Sequence, residues 1–209
     1  MKKLLLFAFI LSAVASQAEW LKGNITFKDN TVKSGYVKYF EKADARKIEY
    51  KTTLNDKSQS LPSEGIKTVD FQLKDGNHRK FFYMHLAFIR GFTPKLKIEK
   101  GYLWLGSVYE GDFNVLSIYF TQANGAYFMN GTTSTLQYYI NWPEDDYATL
   151  TSMVSKGVGI VIGNKKFIRE TNKMLFKGKC DKMVDALDNG SFQPKKIEEV
   201  VDFYEKNCK

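Results

Sequence analysis

The residue types in this chain that could do chemistry fall into a few small sets, and their spacing limits each. Cys180 and Cys208 are its two cysteines. They lack the C-x-x-C spacing that tunes a redox dithiol. His78 and His85 are its two histidines. Seven apart on an extended segment is an odd offset, so their rings fall on opposite faces and the pair does not supply a zinc site. His78 reads as a turn residue and His85 as a hydrogen-bonded strand end. No Gly-x-Ser-x-Gly elbow occurs for a serine nucleophile. The Gly157–Gly163 run lacks both the Gly-x-Gly-x-x-Gly order and the Lys-Ser/Thr ending of a phosphate loop. An Asp-x-Asp-x-Asp-Gly calcium loop is also missing. Carboxylates remain. Glu110 and Asp112 flank Gly111, and Asp145 and Asp146 precede Tyr147. Two carboxyl groups roughly 5 to 10 Å apart across a sugar can cleave a glycoside, and Trp104 and Tyr109 are near in sequence. Glu-Gly-Asp is equally ordinary turn composition. The reading is therefore no catalytic residue, no metal and no cofactor.

The second set is aromatic. Around Glu110-Gly111-Asp112, the flanking runs Tyr102–Val108 and Phe113–Phe120 are apolar on both faces. Strands of that kind are covered on both sides. One cover is a β core; the other is the C-terminal helices, a partner or a ligand. Tyr102, Trp104, Phe113, Tyr119 and Phe120 are the candidate ligand-binding residues.

These residues need a compartment and a scaffold. Lys2 and Lys3, the apolar run Leu4–Leu11 and the small-residue stretch Ser16-Gln17-Ala18 read as a secretory signal peptide over 1–18, with Glu19 as the new N-terminus. The apolar run is shorter than the about 20 residues a membrane span needs, no second one follows, and no cysteine follows it to carry a lipid anchor. Periplasm or extracellular medium is the expected location. Removing Lys2 and Lys3 takes the formal net charge from +8 to +6. An exported basic chain meets few nucleic acids but does meet anionic envelope surfaces; the same lysines also serve as a solvated surface.

In an oxidising compartment an even cysteine count argues for a bridge. Asp181–Asn189 reads as a short helix with Gly190 at C′. Pro194–Asn207 reads as a second, with Pro194 at N1, Phe192 stapled onto Ile197, and Ile197, Val200, Val201 and Tyr204 on one face. An antiparallel pair of that kind sets Cys180 beside Cys208. Closing a loop of about 29 residues is worth roughly 3.5 kcal/mol in the chain-entropy account.

Upstream the period is two. Leu21, Gly23, Ile25 and Phe27 alternate with Lys22, Asn24, Thr26 and Lys28. Asp29-Asn30 turns into a second strand over 31–40, and Asp75-Gly76 marks a further hairpin. Asn124-Gly125 and Asn130-Gly131 mark more turns. The segment 147–154 fits a strand better than a helix begun at Pro143, because of Thr149, Thr151 and Val154. Asn164 caps a helix running to Lys177. The expected fold is α+β: an antiparallel β body over 19–163 (sandwich, roll or partly closed barrel), then a helical segment over 164–209 packed on it.

The stretch Gly23-Asn24-Ile25-Thr26-Phe27-Lys28-Asp29-Asn30-Thr31-Val32-Lys33-Ser34-Gly35, together with the two-cysteine segment from Asn164 to Cys208, resembles uncharacterised exported β-rich proteins of Bacteroidetes-like bacteria. The resemblance implies no assigned activity and no catalytic residues. The expectation is a non-catalytic exported protein that binds or structures an unknown envelope component. A carrier of a small apolar ligand in a β cavity and a carbohydrate-active hydrolase using paired carboxylates are the alternatives.

Overall fold

The computed structural model describes residues 19–40, 42–90, 95–123, 132–156 and 165–209. The segment 1–18 expected to be a signal peptide, the turns expected at Asn124-Gly125 and Asn130-Gly131, the Gly157–Gly163 run and the cap expected at Asn164 lie outside them.

The alternating opening forms β1 (Trp20–Phe27), with Leu21, Gly23 and Ile25 buried and Lys22 and Asn24 exposed. Asp29 accepts hydrogen bonds from the amide and hydroxyl of Thr31 (2.9 and 2.7 Å), and Asn30 takes φ +64°. This local turn chemistry folds the chain back into β2 (Val32–Lys38). β3 (Lys47–Lys51), β4 (Gln59–Pro62) and β5 (Ile66–Gln72) follow. β6 (His78–Arg90) and β7 (Lys95–Glu110) are long; β8 (Asn114–Ala123), β9 (Thr132–Asn141) and β10 (Tyr147–Lys156) complete the body. The segment 147–154 is thus a strand. Helices α1 (Lys165–Phe176), α2 (Asp181–Asp188) and α3 (Ile197–Asn207) form the tail.

The strand order is β10-β9-β8-β7-β6-β5-β1-β2-β3-β4. Neighbours are antiparallel, except that β10 returns to β6 in parallel, Tyr147–Thr149 against His85–Ala87. That pairing closes β6 to β10 into a five-stranded barrel, from which β5, β1, β2, β3 and β4 extend as an open sheet. The result is the expected α+β architecture, a β body followed by a helical segment.

Three apolar clusters hold it. Ile25, Val37, Val69, Phe71, Phe81 and Trp104 fill one face of the open sheet. Phe82, Met84, Leu105, Leu116, Tyr139 and Ala148 fill the barrel. Phe113, Val115, Ile140 and Trp142, on the outside of the barrel, pack under Phe176, Met183, Leu187, Val200 and Tyr204 of the tail. Both-face apolarity in β8 has this origin: Val115 faces the helices and Leu116 the lumen. Each large side chain buried this way contributes about 1.5–3 kcal/mol.

The tail departs from expectation at one point. α3 starts at Ile197, with extended Lys196 as its N-cap, so Pro194 precedes the helix. Glu199 reaches back to accept from the Lys195 amide (2.6 Å), which ties the residue before the N-cap to the first turn. Phe192 stacks on Phe203 (4.4 Å between centroids). Cys180 is the N-cap of α2 and Cys208 the C-cap of α3; they form a disulfide with Cα atoms 5.4 Å apart. Gly190 has φ +78° just past α2, as its C′ position requires.

Candidate functional site

β7 occupies one edge of β6 along most of its length. On the other edge, β5 pairs with residues 78–82 and β10 with residues 85–87. The two partners diverge from a common strand. The wedge between them is an open cleft of about 670 Å³, within the size range of small-ligand sites. Phe82, Tyr83 and Met84 of β6 form its floor. One wall is the open sheet, with Thr26, Lys28, Lys67 and Thr68; the facing wall is the β9–β10 turn, Pro143 to Asp146. Glu110 and Asn114 close one end.

Strand irregularities aim several of these groups. Thr26 pairs with Thr68 but Phe27 pairs with Ile66, which leaves Lys67 as an extra residue in β5. A bulge of that kind re-aims a side chain, and here Lys67 joins Thr68 in the cleft. Residues 99–101 bulge out opposite Leu86, between the pairs His85–Tyr102 and Ala87–Ile98. Tyr102 follows that bulge. The His85 Nδ1–H donates to the Gly101 carbonyl (3.1 Å) and its ring lies against Tyr102 (3.7 Å). Val108 is the extra residue of a third bulge, just ahead of Tyr109 and Glu110.

Charge is divided between the walls. Lys28, Lys67 and Lys80 come from the sheet side; Glu110, Glu144, Asp145 and Asp146 from the other. Lys80 bridges to Glu110 at 2.6 Å. Desolvation raises the Asp145 carboxyl above its ordinary value, helped by the Glu144 charge and opposed by a hydrogen bond from Tyr147. The Lys179 ammonium, hydrogen-bonded to Glu144, holds that carboxyl low.

Both acidic turns are tied to the helical tail. The Trp142 indole N–H donates to the Leu175 carbonyl (3.1 Å), and Lys179, beside Cys180, lies 4.9 Å over the Trp142 ring. The Tyr109 hydroxyl donates to Glu205. Tyr204 donates to Asp112 (3.4 Å), and Lys209 pairs with Glu205 (2.8 Å), on either side of Cys208. Burial, then the hydrogen bond to Glu205, pushes Tyr109 up to about 12. The disulfide therefore joins the two points at which the tail grips the cleft's acidic turns. Asn141 fixes the second turn from within: its side-chain N–H groups donate to the carbonyls of Asp145 (3.1 Å) and Tyr147 (2.9 Å), and it accepts from Asn114 (3.1 Å).

The five aromatic candidates have separate places. Tyr102 lines the cleft. Trp104, 2% exposed, is in the open-sheet core and donates to the Ala45 carbonyl (3.0 Å); Tyr83 touches both it and Tyr102. Phe113 lies under the helices against Trp142 and Tyr204. Tyr119 is 58% exposed on the outer barrel face. The Phe120 side chain lies outside the described residues. Among the four described, no common cavity forms. Glu110 and Asp112 also part company, Glu110 to the cleft and Asp112 to α3. Lys28, Lys67 and Asn141 carry no local sequence signal for a site, whereas Glu110 and the Asp145-Asp146 pair do. His78 starts β6 and meets Asp70 (3.2 Å), whereas His85 sits within β6, not at a strand end. Among the described residues no three His, Cys, Asp or Glu side chains converge as a metal site, and no helix is long and apolar enough to cross a membrane. No family model, curated protein or solved structure matches this chain.

Proposed function

We propose that this is an exported, non-catalytic binding protein of the cell envelope or surroundings, and that its ligand site is the cleft at the strand fork. The observation that carries the reading is the cleft itself: open, ligand-sized, floored by Phe82, Tyr83 and Met84, with charges of opposite sign on facing walls. The disulfide supports the export half, because such bridges persist in oxidising compartments. Tyr102 is the one aromatic candidate that serves this site. The apolar-carrier alternative would need an enclosed lumen, and Leu105, Leu116 and Ala148, each fully buried, occupy the barrel interior.

The hydrolase alternative keeps one specific observation, that Glu110 shares the cleft with Asp145. Glu110 is engaged by Lys80 and Asp145 by Tyr147, an arrangement suited to holding charge in place. Incubating the purified protein with host envelope extract separates the two. The binding reading expects saturable shifts of cleft amide resonances and an unchanged extract. Time-dependent cleavage products that vanish in Glu110→Gln would contradict it.

A further inference from the structure

We infer, resting on the binding reading above, that the fork cleft takes a zwitterionic, peptide-like ligand, its carboxylate on Lys28 and Lys67 and its ammonium on Asp145 and Asp146. The groups that line the cleft differ in how far they are already engaged. The Lys80 ammonium covers the Phe82 ring at 5.2 Å, and the Lys28 ammonium rests 4.6 Å from the Tyr102 ring, from which a ligand carboxylate would draw it. Tyr102 is further flanked by Tyr83 (5.2 Å) and His85 (3.7 Å). Stacking of a sugar or an apolar ring would have to displace these. The amides of Asn114 and Asn141 are engaged with each other and with the turn. Lys80 and Glu110 neutralise one another.

Among the described residues, four charges in the cleft stand outside any ion pair: the Lys28 and Lys67 ammonium groups on the sheet wall and the Asp145 and Asp146 carboxylates on the turn wall, with Asp145 keeping its hydrogen bond from Tyr147. Lys28 and Lys67 are exposed, and Lys67 is there because of the bulge in β5. Asp145 is half-buried and Asp146 exposed, on a turn that Asn141 and the disulfide-linked tail hold in place. A ligand with one free carboxylate and one free ammonium answers both walls at once through charge-assisted hydrogen bonds, the stronger kind. A purely anionic or purely cationic ligand would meet one wall well and be repelled by the other.

The test uses trialanine with free ends and its N-acetyl and C-amide forms, titrated into the purified protein and followed by amide resonances of Thr68, Met84 and Asp146. Saturable shifts are expected from the free peptide, with each blocked form at least about ten-fold weaker. The double variant Lys28→Gln/Lys67→Gln should erase the penalty for the C-amide and keep that for the N-acetyl; Asp145→Asn/Asp146→Asn should do the reverse. Equal binding of free and blocked peptides, or no saturable shift up to about 10 mM, overturns the inference. If a neutral envelope oligosaccharide shifts the same resonances while the peptides do not, the ligand class is wrong and the binding reading stands. If neither the peptides nor envelope extract shifts them, both fail.

Discussion

Tyr109 shows how single residues connect the tail to the site. It is half-buried, directly precedes Glu110, and donates its hydroxyl to Glu205. Gly111 is glycine for the same reason: a Cβ there would meet the Tyr109 hydroxyl at 2.3 Å. Tyr109→Phe should cost about 1–2 kcal/mol in urea unfolding, a hydrogen bond to a charged acceptor discounted for partial exposure. The pH dependence has a definite sign. Tyr109 is raised to about 12 in the folded state, against an unfolded value of about 10. Its contribution is fully present below pH about 10 and disappears as pH rises toward about 12. Glu144, Glu170 and Glu205 are lowered by their hydrogen-bonded partners Lys179, Arg169 and Lys209. Their contribution is present above their ordinary range and fades as pH falls through it. The melting temperature should therefore plateau at neutral pH and fall on both sides, and Tyr109→Phe should weaken the alkaline limb and, by removing one of the two hydrogen bonds that lower Glu205, part of the acid limb as well. Gly35 gives a separate prediction. A Cβ there would sit 2.4 Å from the Lys51 carbonyl and 2.7 Å from the Tyr50 ring, so Gly35→Ala should destabilise by about 1–3 kcal/mol through overpacking.

Among the elements, the disulfide-linked tail acts as a clamp. α2 and α3 are short, and their burial against Phe113 and Trp142 is what makes them stable. Cys180→Ser/Cys208→Ser should lower stability by roughly 3.5 kcal/mol. It should also speed amide exchange in the turns 110–113 and 143–146 more than at Ile25 or Val37, which do not touch the tail. Uniform loss of protection would contradict the clamp. These elements differ in how far the sequence reveals them. The turns at Asp29-Asn30, Asp75-Gly76 and Glu110–Asp112, the strand over 147–154 and the paired cysteines rest on local residue chemistry, and all were legible. The bulges at Lys67, 99–101 and Val108 bear no residue signature, because they arise from register between strands. The full lengths of β6 and β7 escaped for that reason. So did the cleft: Tyr102 and Glu110 were visible as candidates, whereas Lys28 and Lys67 reach it only through pairing. Trp104 and Phe113 pack in buried clusters away from the cleft, and aromatic bulk looks the same in a sequence whether it covers a ligand or a core.

For the whole molecule, the site exists because one strand belongs to two structures. β6 is the last strand of the open sheet and the strand on which the barrel closes, and that closure rests on the short parallel match of Tyr147–Thr149 to His85–Ala87. Ala148, fully buried at the closure, leaves no room for bulk. Ala148→Phe should cost about 1–3 kcal/mol and perturb cleft and barrel resonances together. A second exposed surface offers a comparison. Tyr119, Leu136 and Val154 are cross-strand neighbours on the outer face of β8, β9 and β10, with Tyr119 and Val154 exposed. The most direct test of the fork cleft as the working site is photo-crosslinking in the native host, with a photoreactive phenylalanine analogue replacing Tyr102 in one strain and Tyr119 in another. A ligand adduct is predicted at position 102 and not at 119. Adducts at 119 alone would contradict the account.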